Sequence, residues 1–385
     1  MGNVCPMTSH SDTPHSGLPH HPFSRTHISG ARDIISAIPA LLGFVPHRSL
    51  VLVCLSETAS GAYGIDTVMR HDLSLPAVTG RAARSAVTRE MREVIGRFAV
   101  VSARNQVHTA FAVIVDDRAS STVTDSHIDG RFRAVALRLA ADLRQHGTSV
   151  MQVFLTSRLL AGERWTSVIG PTESGTVADP ATSPIALAHL LEGRALHESR
   201  ETLKQVLTPE DTVFSREVAS HISDAQRRDP GSDRRRLESV LGQIASWAAA
   251  PSDSPAVIAL APSQTAEFGV ALRSVIVRDS LLAVTSTAFA DIAEQLWTIL
   301  MRTLPTSERA CPATLLAFSA YARGDGALAA LAVDIALDAD PDYSLARLLE
   351  RSLQTGARPE IIREVALSGY AVAEMCGVHL PPPRD

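Results

Sequence analysis

Residues 33–55 read DIISAIPALLGFVPHRSLVLVCL, and this segment fixes the centre of the fold. Apolar residues recur at helical spacing in its first half, which predicts a short helix with one apolar face. Gly43 follows this helix directly, where a residue that tolerates positive φ often ends a helix. After a turn, Leu50 to Leu55 form an uninterrupted apolar run, typical of a strand covered on both faces. The segment therefore predicts a helix and a central strand, but it indicates no reaction.

Composition indicates a globular protein with no general affinity for nucleic acid or membranes. The 385 residues are 45% hydrophobic and 20% charged, and at about 150 residues per domain they suggest two or three domains. A formal net charge of −5 argues against a surface for nucleic acid or anionic lipid. The chain begins without an apolar signal-peptide core, and no apolar run approaches ~18 residues. We therefore expect a cytoplasmic protein without a membrane span.

Residue types argue against several chemistries. Lys204 is the only lysine and no glycine-rich loop precedes it, which argues against a Schiff base and a lysine-dependent phosphate loop. The four cysteines form no CxxC pair, so neither a zinc site nor a disulfide framework is expected. The arginines at 227–228 and 234–236 are interleaved with acids, which favours a solvated linker over a nucleic-acid site. These residue types indicate no metal site of their own, and the sequence leaves any cofactor unknown.

Segments of different pattern divide the chain. Residues 1–27 are rich in Ser, Pro and His, and we expect a disordered tail rather than a metal site. Over 28–175, strand patterns alternate with helical ones, which predicts an α/β domain with a mostly parallel sheet. Further on the helical period dominates. We expect a helical connector over 176–255, an all-α domain over 256–377 and a disordered tail over 378–385.

A helix pair over 312–350 is similar to one tetratricopeptide-type repeat. Gly324, Ala329, Ala336 and Pro341 fall at the small-residue and turn positions of that repeat. A single pair cannot bury its own apolar face, so it must dock on the other helices or on a partner.

Two acids mark the second helix of this pair. Asp334 and Asp338 are separated by one helical turn near the helix end, where their repulsion and the helix dipole are both unfavourable. They form either a solvated acidic face or a binding site for a basic protein segment or a cation.

Several phrases stand in series along about 28–360: AIPALLGFVPHRSLVLV, ERWTSVIG, SPIALAHLLEGRALHESRETL, and VIVRD followed by ARGDGALAALAVDIALDADPDYSLARLLE. Together they resemble the bacterial family known as domain of unknown function 4192. The resemblance implies no particular activity. Members of that family often have cysteines after the RW(W/T)S segment, whereas 168–177 here reads VIGPTESGTV and has none. A metal or redox role that rests on those cysteines is not expected here.

Candidate site residues follow two predicted strands. Asp116 ends a buried strand, His71 and Asp72 follow another, and His127 lies in the loop after Asp116. Ligands of open parallel sheets bind beyond the carboxyl ends of the strands. The adjacent carboxylates of Asp116 and Asp117 could therefore hold Mg²⁺ or supply a base, and His127 could join them. Asp72, beside His71, could take part in acid–base catalysis at the same edge. The alternative is that these residues only begin loops.

Arg278 and Asp279 are a further candidate pair. They belong to the phrase VIVRD in a predicted helical region. They form either an ion pair at a domain contact or a group that binds substrate.

Two functions remain open. The first is a non-catalytic binding or regulatory protein that contacts a protein partner through its helical domain. It is favoured by the helix pair and by the absence of GxGxxG, Walker, HExxH and GxSxG patterns. The alternative is an enzyme or small-ligand binder, with or without Mg²⁺, at the carboxyl ends of the sheet strands. The sequence does not decide whether the chain is an enzyme.

Overall fold

A computed structural model of the protein describes residues 30–57, 63–77, 86–119, 128–191, 196–209, 211–229, 231–249 and 260–384. Two predictions lie outside the described residues, namely the tail 1–27 and the candidate His127.

The opening segment forms the helix and the strand that its pattern predicts. Helix α1 is Ala31–Leu42, and Gly43 ends it in the left-handed region with φ of 74°. Strand β1 is Ser49–Glu57, and side chains from Leu50 to Leu55 are at most 6% exposed. Burial on both faces is the reason for the uninterrupted apolar run.

Further strands and two helices complete the sheet region. They are β2 (Tyr63–Asp72), α2 (Arg89–Arg104), β3 (Thr109–Val115), α3 (Gly130–Gln145), β4 (Ser149–Thr156), β5 (Arg164–Ile169) and β6 (Ser174–Thr176). The strand order is β2-β1-β3-β4-β5-β6, so β2 and β6 are the edges.

The prediction of a mostly parallel sheet is wrong, because the sheet is mixed and mostly antiparallel. Among the described strands, β3 and β4 are the only parallel neighbours. Parallel neighbours need a connection of about a dozen residues or more, and the links 58–62, 157–163 and 170–173 are shorter. Helix α2 connects β2 to the parallel strand β3, but β1 lies between them.

Each face of the sheet is covered by helices. On one face, Leu52 and Ile114 pack in a cluster with Phe132 of α3 and with apolar residues of α2. On the other face, Val51 and Val113 belong to a cluster that includes α1 and the later helices.

A largely helical part follows the sheet. Its helices are α4 (Pro184–Leu191), α5 (Arg200–Leu207), α6 (Val213–Arg228), α7 (Asp233–Ala248), α8 (Pro262–Ala271), α9 (Val275–Leu282), α10 (Ala290–Thr303), α11 (Thr306–Ala322), α12 (Gly326–Ala339), α13 (Ser344–Gln354) and α14 (Pro359–Met375). Among the described residues, no helix has the length and apolar content needed to cross a membrane.

The sheet and the helical part share an apolar core. The cluster that contains Val51 continues through Trp297 of α10 and Phe318 of α11 to Ala373 of α14. This continuity fixes one face of the sheet against the helices. The boundaries predicted at 175 and 255 stay predictions.

The helix pair and the C-terminal segment differ in detail from expectation. Helix α11 begins at Thr306 rather than at Pro312, which is buried inside it. Residues 378–384, part of the segment predicted to be a disordered tail, contact the helices. The amide of Arg384 donates to the carbonyl of Ser286 at 2.7 Å, and the Tyr370 hydroxyl donates to the carbonyl of Pro381 at 2.8 Å.

Candidate functional site

The strand-end candidates Asp72 and Asp116 lie at the same end of the sheet. Ser49, at the start of β1, pairs with Asp72 of β2 on one side and with Val115 of β3 on the other. The two strand ends are therefore separated by two strand spacings, roughly 10 Å.

The carboxylate of Asp116 is buried and already engaged. The backbone amide and Nε of Arg118 donate to its Oδ1 at 2.9 and 2.8 Å, and Nη2 donates to its Oδ2 at 2.6 Å. Asp116 is 0% exposed. A metal ion or a substrate proton would have to displace this guanidinium, so Asp116 is held as an ion-pair partner.

Asp117 is held in a similar way. Nε and Nη2 of Arg48 donate to its two carboxylate oxygens at 2.7 and 3.1 Å. These hydrogen bonds hold the pKa of Asp117 well below its usual range. Asp117 therefore stays ionised and paired rather than acting as a base.

Asp72 has a different environment. Its side chain is 75% exposed, and Oδ1 accepts a hydrogen bond from Nη2 of Arg70 at 2.5 Å. His127 lies outside the described residues, so its place beside Asp72 and Asp116 stays a prediction. Among the residues that are described, no group of three or more His, Cys, Asp or Glu is placed to hold a metal ion.

Arg278 and Asp279 form an ion pair within the helical part. Nε of Arg278 donates to Oδ1 of Asp279 at 2.7 Å, and its guanidinium lies 5.8 Å from the ring centre of Tyr343. The neighbouring thiol of Cys311 is buried, and burial raises its pKa to about 11. The side chain of Arg278 is 12% exposed, so these groups connect α9, α11 and the segment before α13.

Of the two acids of α12, Asp334 lies against α5. Asp334 lies 3.9 Å from Nη2 of Arg200 and is 66% exposed, and burial raises its pKa despite that arginine. Asp338 is exposed one turn further along α12. Lys204 lies one turn after Arg200 on α5, and its charge also acts on Asp334.

A groove lies along the outer edge of β2 among the described residues. We call it the edge groove; its volume is about 540 Å³. Every residue from Ile65 to Asp72 lines it. Because successive strand residues point to opposite faces, a cavity can meet all of them only at the strand's edge.

Apolar side chains line both walls of the edge groove. On one side lie Val94, Phe98 and Val101 of α2. The other side is formed by the end of α1 with Leu41, Leu42 and Phe44, by α12 with Gly326, Ala327 and Ala330, and by the α13–α14 turn with Leu353 and Gly356. The groove thus lies between the sheet edge and the helical part.

One end of the edge groove is cationic. Arg70, Arg97, Arg200 and His71 line it together with Asp72. The side chain of Arg70 is 15% exposed, its Nε donates to Oγ of Ser49 at 2.9 Å, and burial lowers its pKa. Nη2 of Arg97 lies 3.4 Å from Nε2 of His71. These three guanidinium groups outnumber the two carboxylates beside them, Asp72 and Asp334, and the excess positive charge favours an anionic ligand.

Sequence reasoning missed Arg97, Arg200 and the small residues of α12 as one site. These residues come from separate helices, and each lies in an ordinary amphipathic pattern. The only local signal was the run Arg70-His71-Asp72, which lies at the cationic end.

These features describe a mixed sheet joined to a helical part through a shared core, with a groove along one sheet edge. The chain belongs to the family described as Domain of unknown function (DUF4192), whose model matches residues 32–360. No curated protein and no solved structure matched the chain.

Proposed function

We propose that this protein is a non-catalytic binding protein that holds an anionic ligand in the edge groove. The observation that carries the proposal is the convergence of Arg70, Arg97 and Arg200 at one end of a cavity of about 540 Å³. Cavities of about 300–1,000 Å³ with apolar walls and a few convergent polar groups are the usual form of ligand sites.

The ion-pair partners of the three arginines support this proposal. Arg70 already has a carboxylate partner in Asp72, and Arg200 has a distant one in Asp334. The described residues give Arg97 no ion-pair partner, only the contact to His71. Arg97 and Arg200 are both exposed, so a carboxylate or phosphate of a ligand could reach and pair with them.

The predicted tetratricopeptide-like pair supports a role for the helical part in the same site. Ala330 of α12 lines the groove, and Asp334, one turn later, contacts Arg200. Ligand binding at this position would contact the sheet edge and the helical part at once.

The alternative of an enzyme at the strand ends has weaker support. It would require Asp116 to release the guanidinium of Arg118, which occupies both carboxylate oxygens. We therefore favour binding over catalysis.

Thermal unfolding in the presence of a panel of dicarboxylates, phosphate, sugar phosphates and nucleotides tests the proposal. A ligand present at about 100 times its Kd stabilises the folded state by ~2.7 kcal/mol, which is easily seen as a rise in Tm. Arg97→Ala should abolish the rise. Arg89→Ala is the matched control, because Arg89 lies on the same helix but pairs with Glu93 on the surface.

Two results would contradict the proposal. One is that no anion in the panel raises the Tm of the wild-type protein. The other is that an anion stabilises wild type and Arg97→Ala equally, because the binding site would then lie elsewhere.

A further inference from the structure

We infer that the ligand of the edge groove is an extended peptide, which adds to the free edge of β2 as another strand and places an acidic group against Arg97 and Arg200. This inference rests on the proposed function, since it names the chemical class of the anionic ligand.

The backbone of β2 has no strand partner on its outer side within the described residues. β1 is the one strand that pairs with β2, and at the end of β2 the ring of His71 contacts the carbonyl of Asp72 at 3.0 Å. Alternate residues of the strand therefore direct an N–H and a C=O away from the sheet, into the groove that Ile65 to Asp72 line. An added strand satisfies these groups, which is the basis of peptide recognition by strand addition.

A bulge protects one end of this edge, but the rest of it lacks the usual protection against strand addition. Edge strands are normally protected by lysine, proline, bulges or very short length. Here a register shift leaves Asp66 as the extra residue opposite Cys54 and Leu55, and the ladder is then regular from Thr67 to Asp72. This regular run contains neither lysine nor proline, and Val68 and Met69 at its centre are apolar.

The walls of the edge groove are placed to receive the side chains of an added strand. Apolar walls stand on both faces of the β2 edge, with Phe98 and Val101 on one side and Phe44 and Ala330 on the other. An added strand would direct alternate side chains to these two walls. These two walls flank the position that one added strand would take.

Charge sets the position of the peptide along the groove. The cationic end lies beside Arg70, His71 and Asp72, where the regular ladder finishes. A peptide with apolar, β-branched residues over about four to six positions and an acidic side chain or terminal carboxylate at one end would match both features. Pairing of that acid with Arg97 and Arg200 would define the position of the peptide along β2.

The experiment uses the full chain and a displayed library of random peptides of about eight residues. Selection should enrich peptides that carry an acid at one end of an apolar β-branched run. The most enriched peptide, labelled with a dye, is then the probe for fluorescence polarisation. Arg97→Glu should raise its Kd by at least tenfold, and Arg89→Glu should leave it within about twofold.

N-methylation of the probe distinguishes strand addition from recognition of side chains alone. Methylation of the alternate amides that face β2 should raise Kd by at least tenfold, while methylation of the other alternate set should leave it nearly unchanged. Equal effects of the two sets would overturn the inference. Circular dichroism verifies that each variant is folded, and Ala330→Trp, which narrows the groove without altering charge, should also abolish binding.

The remaining outcomes are equally decisive. If no peptide is enriched but a small anion still stabilises the protein through Arg97, the proposed function stands and strand addition is wrong. If sedimentation shows a dimer that Ala330→Trp dissociates, the occupant of the edge is a second copy of this chain, which also overturns the inference.

Discussion

The two edges of the sheet are formed in different ways. Strand β6 is very short, Ser174–Thr176, and Gly175 lies directly against the indole of Trp165. Strand β2 is long, Tyr63–Asp72, and a groove lines most of its length. Short length is a common way to prevent unwanted strand pairing, and β6 uses it whereas β2 does not.

An edge can thus be shielded by its surroundings rather than by its own sequence. Residues of β2 from Asp66 to His71 are only partly exposed, because α2 and α12 stand on either side. The same surroundings leave room for a ligand. Protection of β6 depends on its short length, and protection of β2 depends on helices that leave a cavity.

The largest effect is expected at Gly356, which closes one end of the edge groove. This glycine has φ of +62°, and a Cβ there would clash with Val101 of α2. Gly356→Ala should lower the free energy of unfolding by about 3 kcal/mol, since strain of left-handed backbone adds to overpacking. Denaturant unfolding measures this loss.

Gly231→Ala is the matched control for Gly356→Ala. Gly231 has a similar φ of +65°, but a Cβ added there would meet no atom within 4 Å. Gly231→Ala should lower the free energy of unfolding by the backbone strain alone, about 1 kcal/mol. Equal losses of unfolding free energy for the two variants would show that Val101 of α2 does not restrict the side chain at position 356.

The next effect is expected at the opposite edge of the sheet. A Cβ at Gly175 would lie 2.8 Å from the ring of Trp165. Gly175→Val should therefore lower the free energy of unfolding by about 2 kcal/mol through overpacking, although valine itself favours strands. Gly96→Ala in α2, where an added Cβ would meet no atom within 4 Å, should instead stabilise the protein by about 0.5–1 kcal/mol. A neutral Gly175→Val would mean that β6 is not fixed by this contact.

A smaller effect is expected at Tyr321 in the edge groove. Its hydroxyl donates to the carbonyl of Ala357 at 2.8 Å, and burial raises its pKa to about 12. Because the folded protein holds this proton more tightly than the unfolded chain, the stability it contributes is complete below pH 10 and is lost as pH rises towards 12. Tyr321→Phe should lower the free energy of unfolding by about 1 kcal/mol at neutral pH. The stability of this variant should also decline less steeply between pH 10 and 12.

Urea unfolding of wild type and variant between these pH values gives the measurement for Tyr321. Tyr63→Phe is the control, because Tyr63 is 53% exposed at the start of β2. The free energy of unfolding of Tyr63→Phe should change with pH in the same way as that of the wild-type protein. A decline in Tyr321→Phe as steep as in wild type would assign the effect to other groups.

The smallest effect on stability is expected for Asp72→Asn. Asp72 is 75% exposed, so loss of its ion pair with Arg70 should change the free energy of unfolding by less than about 0.5 kcal/mol. The same change removes the only carboxylate at the cationic end of the groove lining, so anionic ligands should bind more tightly. Glu93→Gln, at a surface ion pair outside the groove, should change neither quantity. Weaker ligand binding in Asp72→Asn would show that Asp72 contacts the ligand directly.

Local patterns predicted the elements near the centre of the fold. The apolar run from Leu50 to Leu55 and the glycine at 43 act through burial and backbone freedom of the residues themselves. Strand direction was mispredicted because hydrophobic period carries no information on direction. The short link 58–62 did carry it, since five residues cannot connect parallel neighbours.

The candidate site was less accessible to sequence reasoning. Asp116 has the residue type of a metal ligand, but its function depends on Arg118, which a strand-end pattern does not distinguish from a loop residue. The edge groove joins residues of β2, α2, α5 and α12 that are far apart in the chain. Only the packing of the helical part against the sheet brings Arg97, Arg200 and Ala330 together.

The single lysine allows a fluorophore to be attached at one site near the edge groove. Lys204 is exposed on α5, one turn from Arg200, and its charge acts on Asp334. An amine-reactive fluorophore would therefore modify the chain at Lys204 and at the terminal amine alone. Selective acetylation of the terminal amine would leave one fluorophore, on Lys204, one turn from a residue that lines the edge groove. The intensity or anisotropy of its fluorescence could report whether a ligand occupies the groove, without engineered cysteines.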